Sequence, residues 1–129
     1  MDGSSYLLDT NIVIAVLNQE PPVLERLNRE TVYLASIVLG ELYYGAYKSA
    51  RVADNLRRLA AFVAGHPILN CDQPTAERYG RIKTLLAAKG RPLPDNDLWI
   101  AAMALQHSLT LVTRDEHFNE VDGLALERW

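Results

Sequence analysis

Asp9, Glu41, Asp97 and Asp115 are the residues of this sequence best placed to do chemistry. Asp9 closes the strand-like run Tyr6-Leu7-Leu8. Glu41 lies in Ser36-Ile37-Val38-Leu39-Gly40-Glu41-Leu42, just after the strand-like run Val32-Tyr33-Leu34-Ala35. Asp97 opens the helix-like run Leu98-Trp99-Ile100-Ala101-Ala102, and Asp115 follows Leu109-Thr110-Leu111-Val112-Thr113. Carboxylates distant in sequence but set at such edges can converge in the fold. Converging carboxylates repel one another unless a cation lies between them, and an all-oxygen donor set suits Mg²⁺ or Mn²⁺.

Each acid also has a plainer reading. Asp9 and Asp97 suit helix N-termini, where the macrodipole favours negative charge. Asp115 suits a turn, and Glu41 a solvated helix. Glu41 is the hardest to dismiss, because Leu39, Leu42 and Tyr43 surround it and a carboxylate beside so much apolar surface needs a partner.

The elements that must position these residues alternate in type. Short apolar runs predict strands at 6–8, 32–35, 67–70, 110–113 and 124–128. Helical spacing predicts helices at 11–17, from Pro22 onward, from a Ser36 cap to about 48, at about 50–64, from an Asp72 cap to about 89, and from Asp97 to about 107. Val52, Leu56, Leu59, Ala60 and Val63 recur at helical spacing on the fourth helix, and Ala76, Tyr79, Ile82, Leu85 and Leu86 are expected inward on the fifth. The order is α/β, a three-layer sandwich with helices on both faces of a central, mostly parallel, short-stranded sheet. Ligand sites in such sheets lie beyond the carboxyl ends of the strands, where Asp9 and Asp115 fall.

The chain has 129 residues, 49% hydrophobic and 22% charged, enough for a single domain over 1–129 with one core and too apolar for a disordered chain. A net charge of −3 does not announce a nucleic-acid binder. Basic residues nonetheless cluster at Lys48, Arg51, Arg57 and Arg58, and again at Arg78, Arg81, Lys83, Lys89 and Arg91. Solvated helix faces are the favoured reading of both groups, against a phosphate-tracking surface. The single cysteine, Cys71, excludes an internal disulfide and is expected to be buried at a strand end. There is no signal-peptide pattern and no membrane-spanning run, so a cytoplasmic protein without membrane contact is expected.

Four words of sequence occur in order: Leu7-Leu8-Asp9-Thr10-Asn11, Gly40-Glu41-Leu42-Tyr43-Tyr44-Gly45, Asn96-Asp97-Leu98-Trp99-Ile100-Ala101-Ala102 and Val112-Thr113-Arg114-Asp115-Glu116-His117-Phe118. Together with the ending Phe118-Asn119-Glu120-Val121-Asp122-Gly123-Leu124, they resemble the PIN-domain ribonucleases, and most closely the VapC-type toxins of bacterial toxin–antitoxin pairs. The resemblance runs from about Tyr6 to Trp129 and implies a PIN-like fold. It implies a Mg²⁺- or Mn²⁺-dependent endoribonuclease that acts on RNA, with tRNA, rRNA and mRNA all candidates. Asp9, Glu41 and Asp97 match the core acidic triad, and Asp115 the variable fourth position. Thr10, Asn11 and Thr113 fall at supporting polar positions, with Thr113 expected to bond a carboxylate or a metal-bound water. Arg114 is the basic residue best placed to pair with a substrate phosphate or a carboxylate. Asp95 reads as a loop or cap residue, with a supporting role as the lesser alternative. The partners implied are a VapB-type antitoxin, a second copy of the chain in a homodimer, and promoter DNA through the antitoxin alone.

A phosphodiester repels an incoming hydroxide, and metal-bound carboxylates answer this by activating water and neutralising phosphate charge. That route leaves a 5′-phosphate and needs no 2′-hydroxyl. The three histidines have no paired spacing, which disfavours a histidine-driven ribonuclease. Competing readings are a PIN nuclease of RNA processing, a Mg²⁺-binding receiver-like signalling module, and a catalytically silent scaffold.

Overall fold

Ser5–Leu8 are buried on both faces and form the central strand of the sheet, β1. The computed structural model describes residues 5–129. After β1 come α1 (Thr10–Leu17), α2 (Pro21–Arg29), β2 (Thr31–Ala35), α3 (Ser36–Tyr47), α4 (Val52–Ala64), β3 (Ile68–Leu69), α5 (Gln73–Ala88) and α6 (Asp95–Gln106). β4 (Thr110–Val112), a 3₁₀ turn (Glu116–Glu120) and β5 (Leu126–Glu127) complete the chain. The strand order is β3-β2-β1-β4-β5, and every pairing is parallel. Crossovers run outward from β1 to β3, then return across the sheet to β4. Right-handed connections in opposite directions place helices on both faces and open a crevice where the order reverses, between β1 and β4.

Burial explains why the strands lack alternation. Leu7 and Leu8 of β1, Leu34 of β2 and Leu111 and Val112 of β4 have no exposed surface. α6 contributes Leu98 and the run Ile100–Ala104, all buried. Its three alanines let the backbone approach its neighbours closely. Truncating a fully buried leucine such as Leu8 to alanine costs about 2–5 kcal/mol.

Local rules hold at several ends. Asp72 caps α5 in a reciprocal capping box with Thr75. Gly90 ends α5 at φ +69°, donating to the Ala87 carbonyl while Arg91 donates to Leu86, the Schellman pattern that only a left-handed residue allows.

Other expectations are corrected. Ser36 does not cap α3: Ala35 holds the cap position with no side-chain bond, and Ser36 is the first helical residue. Asp97 does not open α6, which begins two residues earlier at Asp95 after Pro94. The buried stripe of α5 is Thr75, Ile82 and Leu86, with Tyr79 half-buried, so Ala76 and Leu85 fall one position off it and are exposed. Thr75 can be buried because Asp72 and Gln106 satisfy its hydroxyl. On α4 only Leu59 is buried, and Ala60 faces solvent. Cys71 lies beyond the short edge strand β3 and is exposed, not buried.

Candidate active site

β1 and β4 deliver the first two polar residues side by side. Leu8 pairs with Val112, and the Asp9 N–H donates to the Val112 carbonyl at 2.9 Å. The next residue on each chain, Asp9 and Thr113, therefore meet at the carboxyl edge of the sheet. The Thr113 hydroxyl donates to Asp9 Oδ2 at 2.7 Å. The Asn11 amide donates to the same oxygen at 3.3 Å and to Thr113 Oγ1 at 3.5 Å. Asp9 Oδ1 accepts the Thr10 N–H at 2.9 Å, so Asp9 also caps α1. Thr113 Oγ1 accepts the Asp115 N–H at 3.0 Å. One hydroxyl, with its donor and both lone pairs in use, thus links two of the four acids.

α3 and α6 bring the other two. The Thr10 hydroxyl donates to Glu41 Oε1 at 3.1 Å. Asp97 lies in the first turn of α6 and accepts no hydrogen bond among the described residues. Asp95, two positions earlier, faces α5 instead, accepting from Tyr79 Oη at 2.8 Å and Lys83 Nζ at 3.2 Å. Asp95 is thus neither the loop nor the cap residue expected: it is the first residue of α6, with Pro94 at the cap position, and its side chain ties α6 to α5.

The acids feel one another. Burial raises the Asp9 carboxyl above its usual range despite the Thr113 and Thr10 hydrogen bonds, and Asp115 adds to the rise. Burial also raises Glu41, against the bond from Thr10 and with a further push from Asp9. Asp97 is pushed up to about 6, first by burial, then by the charges of Asp9, Asp115 and Glu41. Among the described residues no lysine or arginine pairs with any of the four; His117 Nδ1 alone lies beside Asp115, at 2.8 Å.

Four crowded carboxylates without a basic side chain between them suit a hard divalent cation. Their spacing is open: among the described residues no three His, Cys, Asp or Glu side chains are arranged to hold an ion as they stand. Mg²⁺ keeps several waters and takes only one or two carboxylates directly, so it does not require three converging ligands.

Two grooves adjoin this edge. One, of about 240 Å³, runs between α1, α3 and α4 and is lined by Ile14, Leu17, Leu42 and Leu59, with Thr10 and Glu41 among its lining residues. The other, also about 240 Å³, passes Thr113, Asp115, Asn119 and Arg128.

Arg114 was expected to pair with a phosphate or a carboxylate, and in the fold it pairs with a carboxylate of the chain. Its guanidinium donates to Glu20 at 2.8 and 3.5 Å, and its Nε to the Trp129 carbonyl at 3.2 Å. Glu20, held below the usual carboxylate range by that bond, was not foreseen. It precedes a proline pair in a helix break, and nothing local marks it as a partner for a residue 94 positions away.

The PIN domain profile matches residues 6–124. The chain is 36% identical to ribonuclease VapC2 of Rickettsia felis over 130 residues, covering 96% of this chain and 97% of that one. It is 38% identical to the tRNA(fMet)-specific endonuclease VapC of Shigella flexneri over 128 residues, with the same coverage. In three dimensions it is similar to the chain in the crystal structure of VapBC2 from Rickettsia felis bound to a DNA fragment from their promoter, with a TM-score of 0.92, 33% identity, and coverage of 97% and 98%. A fold that gathers these acids at the carboxyl edge of a parallel sheet, matched over nearly its whole length, places the chain in the PIN-domain family, among the VapC ribonucleases.

Proposed function

We propose that this chain is the toxin of a toxin–antitoxin pair, an endoribonuclease that hydrolyses RNA phosphodiesters at Asp9, Glu41, Asp97 and Asp115 with Mg²⁺ or Mn²⁺. The observation that carries this reading is the placement of four acids at one edge of the sheet, with no lysine or arginine paired to any of them among the described residues; burial first, and then the charges of Asp9, Asp115 and Glu41, raise Asp97 to about 6. Asp9, Asp97, Glu41 and Asp115 would hold the cation, directly or through water. Bound there, it would lower the pKa of a water, neutralise phosphate oxygens and steady the leaving oxygen. Thr113 and Asn11 hold Asp9 in one orientation, and Thr10 does the same for Glu41. A carboxylate left free takes the attacking water's proton. The products are a 5′-phosphate and a 3′-hydroxyl.

The name of the Shigella relative makes initiator tRNA the first substrate to try. An antitoxin segment fits the apolar groove, with apolar side chains against Ile14, Leu17, Leu42 and Leu59 and a basic side chain reaching Glu41. Two observations support this occupant: the similar Rickettsia chain belongs to a structure named VapBC2, and the groove's largely apolar lining, shared with Asn18, Asn55 and Arg58, reaches Glu41. DNA binding would then come through the antitoxin, and a homodimer is the expected assembly. Membership of the PIN family sets the receiver-like reading aside.

The test incubates purified chain with tRNA and total RNA in Mg²⁺ or Mn²⁺, beside EDTA and Asp9→Ala controls. Fragments with 5′-phosphates, lost in both controls, are expected. Intact RNA with the wild-type chain, or cleavage that survives Asp9→Ala, contradicts the proposal.

A further inference from the structure

Residue 114 is tied to three separate parts of the chain. Its backbone N–H donates to Asn11 Oδ1 at 3.2 Å, at the start of α1. Its guanidinium bonds Glu20, in the α1–α2 turn. Its Nε bonds the Trp129 carbonyl, and its own carbonyl accepts Arg128 Nη1 at 3.0 Å, at the end of β5. Its neighbours are Thr113, which holds Asp9, and Asp115. Asn11 completes the circuit: its oxygen faces Arg114 and its amide nitrogen faces Asp9 and Thr113.

We propose that Arg114 is a positioning residue of the acidic site. Locked to Glu20 and Trp129, it fixes the segment that carries Asp115 and, through Asn11, the orientation of the Asp9 carboxylate. The inference rests on the reading of the acidic edge as the active site. Arg114 is therefore not a free phosphate anchor. Its guanidinium is already committed to a carboxylate, in the planar paired geometry that arginine favours and lysine does not reproduce.

Glu20 separates the two roles, because it touches no acid of the site. If Arg114 positions, Glu20→Gln loosens the clamp. If Arg114 binds phosphate, Glu20→Gln frees it for RNA. The experiment measures kcat and KM for RNA cleavage with Glu20→Gln, Arg114→Gln and the double variant, with melting curves to establish folding. Expected is a kcat loss of about tenfold in each single variant, with KM within about twofold and the double variant no worse than either. RNA affinity measured in EDTA is expected to stay at the wild-type value. A second readout needs no catalysis: amide hydrogen exchange of Arg114 and Asp115 should rise about tenfold in Glu20→Gln, while Leu7 and Leu8 keep their protection. An unchanged kcat with unchanged exchange in Glu20→Gln overturns the proposal. So does a raised KM with intact kcat in Arg114→Gln. If the wild-type chain itself does not cleave RNA, the nuclease reading fails, and exchange alone then decides the clamp.

Discussion

Asp9 accepts hydrogen bonds from Thr113, Thr10 and Asn11, whereas Asp97, at the same edge of the sheet, accepts none among the described residues. Both carboxyls are raised by burial. For Asp9 the chain answers burial with fixed donors. For Asp97 it adds three neighbouring negative charges. One carboxylate is organised in advance; the other is left to be neutralised by whatever binds. Fixed donors hold geometry, and uncompensated charge supplies the attraction.

The largest effect expected from this contrast is shared by both residues. Asp9→Asn and Asp97→Asn should each lower cleavage on the order of 10³-fold, the cost of several kcal/mol of lost metal-centred stabilisation, measured by initial rates in Mg²⁺. Stability should then divide them. Asp97→Asn removes repulsion and should raise the melting temperature in EDTA at neutral pH. Asp9→Asn turns an amide nitrogen toward either the Thr10 N–H or the Thr113 and Asn11 donors, and should lower it. The same direction of shift in both variants would break the comparison.

Next in size is Thr113→Val. It leaves Asp9 Oδ2 and the Asp115 N–H without their shared hydroxyl, and should cost about 10–100-fold in rate and about 1–3 kcal/mol of stability by denaturant melting. Thr10→Val should cost less, about a few-fold in rate, because Glu41 is only half-buried and water can replace the lost donor.

A pH series sharpens the contrast. The Asp97 carboxyl is raised from 3.8 to about 6 in the folded chain. The stabilisation given by its proton is complete below the unfolded value and is lost as pH rises through about 6. Asp9 and Glu41 are shifted in the same direction. The melting temperature in EDTA should therefore fall between about pH 5 and pH 7, and Asp97→Asn should flatten that fall.

Much of this was legible in the sequence. The runs around Leu7, Leu34 and Leu111 are apolar without alternation because both sheet faces are covered, and that pattern announces a parallel sheet. Asp9 was legible because a carboxylate directly after a buried strand must lie at the sheet's edge. The errors were local in kind. A serine before a helix looks like a cap, yet the chain turns one residue earlier, at Ala35. On α5 the spacing places Tyr79, Ile82 and Leu86 correctly and misses only at Ala76 and Leu85, because the buried stripe passes through Thr75, a polar residue that its bonds to Asp72 and Gln106 satisfy. What sequence could not carry was the partner of Arg114. Glu20 meets it only through the tertiary fold, and no periodicity records a contact across 94 positions.

The most direct test of the central claim, that unbuttressed Asp97 and buttressed Asp9 together attract a divalent cation, is Mn²⁺ binding followed by electron paramagnetic resonance across pH. Binding to the wild-type chain should strengthen as pH rises through about 6 and should be lost in Asp97→Asn. Affinity that is flat across that range and unaffected by Asp97→Asn would contradict the account.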